Sequence, residues 1–422
     1  MSRLAGLAVS QRDPRTAPLH VNGIPRRLRL PWQLRDVRLG AALAVPPRRR
    51  IGYVGWVGHG NLGDEASFLA YRRALADWSF RAVPSGRALR PLAAFVPYPL
   101  VDAAALGGGT LVGWPFFREK FEALLDAAPH VPAFMLGTGV EDPEFEGRSR
   151  LLADALARAD RSEGPAPARR AGRALRELRR WAEALERVEA VAVRGPRSRE
   201  VLAAAGIQAD VVGDPALLLA DARPSSAVDE RVFGLNVGLS DGLWGDDVSA
   251  VVDAAITLSR TLQARGWKIR LVPLSPADDA LLSQVARALG GRVELVEAQR
   301  LDDVLAAIRS CHVFVGEKLH SVVLASATYV PALALEYHPK CRDFQLSLGR
   351  GDFVLRTDRL DRGTLVERVD ELADARDRHR DALVASVNRL RERLLAAIVR
   401  ARSALAAVGD PHAWPVGPPG IR

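Results

Sequence analysis

Short apolar runs that close in a glycine turn, each followed by a helix-patterned segment, recur along this chain in two series. IGYVGWVG opens the first at Ile51, and HGNLGDEASFLAYRRALADW follows with Phe68, Leu69, Arg72 and Leu75 at helical spacing. VDAAALGGGT ends at Thr110 and precedes WPFFREKFEALLDAA; VPAFMLGTGVED is a third strand, and VEAVAV ends a fourth just before Arg194. A polar linker, residues 221–231, leads to the second series. That series reads as strand 232–237, helix near 247–265, strand KIRLVPL, helix near 277–289, strand RVELVE, helix 301–309 and strand HVFVG. Strands alternating with helices in this way build parallel sheets covered on both faces. The expected fold class is α/β, with two doubly wound domains facing a cleft and a long C-terminal helix. On that helix Leu383, Val387, Leu390, Leu394 and Ile398 form one apolar stripe. With 422 residues there is chain enough for two cores. The expected boundaries are a basic arm over 1–50, an N-terminal domain over 51–222, a C-terminal domain over 232–362, helices over 363–408 and a flexible tail over 409–422. Arginine-dense residues 158–180, interrupted by GPAPARRAG, read as a flexible insertion joining two helical pieces.

In open α/β sheets ligands bind outside the carboxyl ends of the strands, so the residues after each apolar run are the candidate site. The densest group lies in residues 316–343, GEKLHSVVLASATYVPALALEYHPKCRD. Lys318 and His320 follow the strand that ends at Gly316, and Glu336, His338 and Lys340 crowd the end of the strand opened by Pro331. Cations and imidazoles at two such strand ends suit a small, highly anionic ligand. Arg194, at its own strand end, adds a planar fork that fits carboxylate or phosphate. Taken singly each has a plainer role: His320 as a helix-capping residue, the lysines as solvated surface cations. In the first series Gly58, Gly60 and Gly63 allow close approach of backbone to a ligand. The turn is not a dinucleotide fingerprint, because Asp64 and Glu65 stand where an apolar helix start belongs. Paired acids there repel phosphate. They suit hydrogen bonds to hydroxyls or a general base, and equally a helix start with Asp64 as N-cap and both acids placed favourably in the macrodipole.

The net charge of +9 attracts anionic partners. The basic residues are not interleaved with aromatics and no zinc-ligand spacing occurs, so no nucleic-acid partner is expected. Cys311 and Cys341 are the only cysteines, which rules out a disulfide framework and makes a cytoplasmic location the expectation. The apolar patch LAGLAV is too short for a signal segment, and no uncharged apolar run reaches the roughly 20 residues of a membrane helix.

Two doubly wound, Rossmann-like domains with a cleft between them resemble the GT-B architecture. Four motifs in register, GHGNLGDEA, LGGGTL, VRGPRSREVL with a following GDPALLL, and GEKLHSVVLASATYVPALALEYHPKCRDF, resemble the polysaccharide pyruvyl transferase family over roughly residues 51–345. That resemblance implies transfer of pyruvate from phosphoenolpyruvate to a sugar diol, giving a cyclic pyruvate ketal and phosphate. It implies donor binding mainly in the C-terminal domain and acceptor binding toward the N-terminal one. On this reading Lys318, Arg194, Lys340, Glu336 and His338 bind the donor, and Asn61, Gly63, Gly108, Gly109 and Thr110 line the acceptor side. His320 is the expected general acid that protonates the enol carbon, and Asp64 or Glu65 the carboxylate that helps the sugar hydroxyls attack. No cofactor or metal is expected beside the co-substrate phosphoenolpyruvate. The chain departs from the family at one place: Lys318–Leu319–His320 stands where Arg-Leu-His is usual, which keeps the charge and loses the bidentate fork.

Two other functions fit the same sequence. One is a glycosyltransferase of this architecture that takes a nucleotide sugar, with Glu336 on the ribose hydroxyls. The other is a non-catalytic binding protein that keeps the fold. Where the saccharide acceptor is lipid-linked, the basic arm and the arginine-rich insertion suit peripheral contact with an anionic inner membrane face.

Overall fold

The computed structural model describes residues 50–83, 101–142, 145, 166–220, 231–238, 243–291, 293–298 and 300–407. The arm over 1–49, the linker over 221–230 and the tail over 409–422 lie outside the described residues. The first sheet holds β1 (Arg50–Val54), β2 (Ser79–Ala82), β3 (Ala103–Leu106), β4 (Thr110–Val112), β5 (Ala133–Val140), β6 (Ala190–Val193) and β7 (Asp210–Val211). Its order is β2-β1-β3-β5-β6-β7, with β4 paired to the end of β5, and every pairing is parallel. The second sheet holds β8 (Val232–Asn236), β9 (Lys268–Leu271), β10 (Val293–Leu295), β11 (Val313–Gly316), β12 (Ala332–Glu336) and β13 (Val354–Arg356), again all parallel. Its order is β10-β9-β8-β11-β12-β13, the 3-2-1-4-5-6 arrangement of a Rossmann sheet. Strand order reverses between β1 and β3 in one sheet and between β8 and β11 in the other, so each has a crevice at that point.

The runs AAAL, VFVG and ALALE are buried along their whole length, as strands covered by helices on both faces must be. The helices are α1 (Leu62–Ala74), α2 (Pro115–Ala127), α3 (Ala166–Leu185), α4 (Pro196–Ala204), α5 (Val248–Ala264), α6 (Asp279–Leu289), α7 (Leu301–Arg309), α8 (Leu319–Ala327), α9 (Pro339–Ser347), α10 (Arg362–Asp374) and α11 (Arg376–Ala407). Two sequence expectations change. The arginine-dense stretch is helical from Ala166 onward rather than a flexible joint, because Trp181 and Leu178 bury against the first domain, with Trp181 stacked on Phe121. Its part before residue 166 lies outside the described residues. The N-cap of α1 is Asn61, not Asp64: the Asn61 side chain accepts from the Gly63 amide, and Asp64 sits in the first turn, at the positive end of the helix.

The stripe on α11 is buried as expected, and it packs across the domain boundary onto the first sheet. Leu390 lies so close beneath Gly213 that a β-carbon there would approach to 3.0 Å of it. One buried apolar cluster runs from Ile51 and Tyr53 in the first sheet to Phe314 and Leu333 in the second. The Leu62 amide donates to the Leu274 carbonyl between the two domains at 2.9 Å. No helix among the described residues is long and apolar enough to cross a membrane.

Candidate active site at the interdomain edge

The carboxyl ends of both sheets face one another, so each strand end delivers its next few residues to one place. From the first sheet, β1 leads to Asn61 and Asp64, β5 to Glu141, β6 to Arg194 and β7 to Asp214. From the second, β9 leads to Ser275 and Asp278, β11 to Glu317, Lys318 and His320, and β12 to His338 and Lys340. The fit is close enough to need glycine. A β-carbon at Gly63 would lie 2.3 Å from Cβ and Cγ of His320, and one at Gly139 would lie 2.2 Å from Nη2 of Arg194.

Arg194 is fully buried. Its Nη2 donates to Thr110 Oγ1 at 2.9 Å, its Nε lies 4.0 Å from Asp343 Oδ2, and Nε and Nη1 have no hydrogen-bond partner among the described residues. His320 Nε2 faces Asp214 Oδ2 at 3.8 Å, and both atoms are likewise buried without a partner. The other oxygen of Asp214 caps its own turn through the Ala216 amide and receives Ser67. Buried polar atoms are nearly always paired, and here two arginine nitrogens, an imidazole nitrogen and a carboxylate oxygen are left open. Backbone donors add to it. The amino end of α8 carries no side-chain cap, and it presents the His320 turn to the cleft. The amino end of α4, by contrast, is closed by a residue of the opposite domain: Asp343 accepts from the Arg197 and Ser198 amides and from Ser198 Oγ at 2.9, 3.2 and 2.6 Å.

Charge is distributed unevenly around this point. Lys318 pairs with Asp278 and donates to Ser275 Oγ at 2.8 Å. Lys340 is half-buried over the Tyr337 ring, and burial pulls its ammonium below the usual lysine range. Burial, with Arg194, Lys340 and Lys318 nearby, pushes the His320 imidazole down to about 4 although Asp214 opposes the shift. The Asp64 carboxyl is raised to about 7 by burial and by Asp214 and Glu65, against the pull of Lys340 and Lys318. Glu317 is likewise raised to about 7 by burial, though it accepts from the Gly238 amide at 3.0 Å. A carboxyl raised to about 7 suits acid–base work at pH 7, whereas a neutral imidazole must gain a proton before it can act as an acid.

The structure gathers most of the residues singled out in the sequence, and it gives some of them different tasks. Asn61 Nδ2 donates to Asp64 Oδ2 at 2.6 Å, so it orients the carboxyl. Thr110 orients Arg194. A β-carbon at Gly109 would meet Asp64 Oδ1 at 3.1 Å, and one at Gly108 would meet Ser67. The Glu65 carboxylate accepts from the Gly58 amide. His338 takes the Lys340 amide on Nδ1 and so presents Nε2–H to Glu141 Oε1 at 2.7 Å. Glu336 is buried and ion-paired with Arg342 at 2.9 Å. Four acids went unnoticed in the sequence: Glu141, Asp214, Asp278 and Asp343. Only Asp214 carried a local signal, the Gly-Asp-Pro turn, and that signals a turn and not a partner for His320. Among the described residues no three His, Cys, Asp or Glu side chains form a metal-binding group. A cavity of about 360 Å³ lies elsewhere, lined by Ala133, Ala190 and Asp210 at the amino ends of β5, β6 and β7 and by Arg400 of α11. It is on the wrong edge of the sheet for the chemistry assembled here.

Solved structures share the architecture at low identity. A Listeria monocytogenes protein assigned as a UDP-N-acetylglucosamine 2-epimerase superposes with a TM-score of 0.50 at 10% identity, covering 80% of this chain and 91% of its own. The UDP-GlcNAc 2-epimerase of Neisseria meningitidis gives 0.48 at 10%, covering 82% and 100%, and the kitacinnamycin glycosyltransferase gives 0.48 at 15%, covering 85% and 99%. These likenesses concern the GT-B-like fold alone. No curated protein matches the chain. The family model for polysaccharide pyruvyl transferase matches residues 61–339, a span that runs from the Asn61 cap of α1 through His320 and His338 to the start of α9. With about two-thirds of its length under that one model, from one side of the cleft to the other, the chain belongs to the polysaccharide pyruvyl transferase family.

Proposed function

We propose that this protein transfers pyruvate from phosphoenolpyruvate to a diol of a saccharide, free or lipid-linked, forming a cyclic pyruvate ketal and phosphate in the cytoplasm. The observation that carries the reading is the pair of unpartnered nitrogens on buried Arg194 beside the unpartnered Nε2 of His320. Phosphoenolpyruvate brings a phosphate and a carboxylate close together. Arg194, Lys340 and Lys318, with the uncapped amino end of α8, supply the matching positive charge.

The transfer balances as follows. A proton adds to the methylene carbon of the donor, which becomes the methyl group, and the adjoining carbon becomes electrophilic. One sugar hydroxyl oxygen bonds to that carbon, and the second displaces phosphate from it. Of the two hydroxyl protons released, one replaces the proton delivered to the methyl and the other leaves with phosphate. His320 is neutral in the free site. The negative charge of the donor offsets the neighbouring cations and raises the proton affinity of the imidazole, with Asp214 3.8 Å from Nε2 to stabilise the imidazolium. Asp64, held by Asn61, exchanges a proton with the attacking hydroxyl. The acceptor thus lies on the N-terminal side, along Gly63, Gly108 and Gly109. Glu336, the group that would hold a ribose, is already engaged by Arg342, which favours a compact donor over a nucleotide sugar.

Thermal stabilisation tests the reading. A ligand that binds only the native state adds roughly 2.7 kcal/mol at 100 times its dissociation constant. Millimolar phosphoenolpyruvate is expected to raise the melting temperature of the wild type, and Lys340→Ala and Lys318→Ala to diminish the shift. A shift with a panel of nucleotide sugars and none with phosphoenolpyruvate would overturn it.

A further inference from the structure

Two exposed aromatic rings stand together beside this cleft. Trp56 follows β1 and Phe116 opens α2, and they are 38% and 40% exposed with ring centroids 6.4 Å apart. The other large exposed apolar side chains among the described residues are Leu295, Leu346, Leu395 and Val399, all aliphatic and scattered over β10, α9 and α11. The aromatic pair is held in place from several directions. The Trp56 ring lies flat against His59 at 3.7 Å, buried Phe117 meets it edge-on at 6.2 Å, and the Lys120 ammonium sits 4.0 Å above Phe116. Rings fixed in this way lose little conformational freedom when a ligand settles on them.

Both rings sit on turns that are hydrogen-bonded to residues lining the cleft. Two residues after Trp56 the Gly58 amide donates to the Glu65 carboxylate at the start of α1. Two residues before Phe116 the Trp114 indole donates to Glu141 Oε2 at 3.2 Å, and Glu141 holds His338. The shelf therefore adjoins the acceptor side, where Asn61 and Asp64 stand. We propose that Trp56 and Phe116 bind a sugar ring of the acceptor saccharide, next to the sugar that receives pyruvate. This rests on the pyruvyl-transfer reading and extends it from one sugar to a chain. A pyranose offers a C–H face to an aromatic ring and a rim of hydroxyls to polar neighbours, and here His59 and Lys120 flank the rings. A membrane-seated patch combines aromatics with large aliphatic side chains, and none of the exposed aliphatic residues lies on either of these turns.

The test is retention on an array of defined mono-, di-, tri- and tetrasaccharides, with wild type, Trp56→Phe and Trp56→Ala run in parallel with phosphoenolpyruvate present. The wild type is expected to retain the longer saccharides better than the monosaccharides. Trp56→Ala is expected to lose that increment, roughly threefold to tenfold, as for a lost aromatic contact, and Trp56→Phe to keep most of it. Equal melting temperatures and equal phosphoenolpyruvate shifts in the three proteins show that folding and the donor side are intact. Retention that ignores chain length, or an unchanged profile in Trp56→Ala, overturns the shelf. A wild type with no phosphoenolpyruvate shift counts against pyruvyl transfer instead, and the length series still decides the shelf.

Discussion

Two histidines of the C-terminal domain each face a carboxylate of the N-terminal domain, and the two pairs are in opposite states. His338 and Glu141 are in contact at 2.7 Å, with both ring nitrogens of His338 engaged. His320 and Asp214 stand 3.8 Å apart, with Nε2 and Oδ2 both unsatisfied. The acids come from the ends of β5 and β7, the histidines from the ends of β11 and β12, so the same two sheet edges build both. A satisfied pair across an interface acts as a latch and fixes one arrangement. An unsatisfied pair in the same interface carries a cost that the fold has not removed. On the reading proposed above the pairs do different work: His338 and Glu141 hold the domains in register, and His320 and Asp214 receive the charged ligand.

Breaking the open pair should therefore damage chemistry and spare the fold. For His320→Ala we expect pyruvyl transfer to fall by about 10³-fold, in the range of a lost general acid, with the melting temperature nearly unchanged. A His320→Ala protein that transfers pyruvate within tenfold of wild type would remove His320 from its role. Gly63→Ala attacks the same pair from the opposite domain, since the new β-carbon would overlap the His320 ring at 2.3 Å. Transfer is expected to fall roughly 10²-fold, as for a misplaced catalytic group, and a crystal structure of the variant should show the imidazole displaced from Asp214.

Breaking the closed pair should do the reverse. His338→Ala leaves Glu141 Oε1 without its partner, and the expected loss is about 1–3 kcal/mol of stability, the usual cost of stranding a partly buried polar group. Transfer should fall less than tenfold at a temperature where the variant remains folded. An unchanged melting temperature together with lost transfer would exchange the roles of the two histidines. The smallest effect is one of pH. Asp64 is neutral below about 7 and negative above it, so it repels an anionic donor only on the alkaline side. Phosphoenolpyruvate affinity, measured by titration calorimetry, should weaken roughly threefold to tenfold as pH rises through about 7. Asp64→Asn should flatten that dependence.

Much of this was legible in the sequence, because each apolar run that ends in glycine reports a strand and its carboxyl edge together. His320, Lys318, His338 and Lys340 were found for that reason: they sit on two consecutive strand ends within one short segment. Arg194 was found at its strand end too, though not that it is fully buried with two nitrogens open. The acids were not legible. Glu141 is separated from His338 by 197 positions, and Asp343 from Arg197 by 146, so their roles exist only once two domains have met. Strands β4 and β13, three residues each, are too short for periodicity to reveal, whereas β10 lies inside the longer run RVELVE and is expected from the strand–helix alternation of the second series. The arginine-rich start of α3 reads as a loop by composition, and only the burial of Leu178 and Trp181 shows why it is helical.

The central claim is that this cleft moves pyruvate from phosphoenolpyruvate to a sugar diol. Proton and phosphorus NMR in deuterium oxide read it directly, with the saccharides retained on the array as acceptors and His320→Ala as control. The account predicts loss of the vinyl signals of phosphoenolpyruvate, release of phosphate in equal amount, and a new methyl signal on the saccharide that carries one deuteron taken from solvent. A protein that leaves phosphoenolpyruvate intact and instead consumes a nucleotide sugar, forming a glycosidic bond, would contradict it.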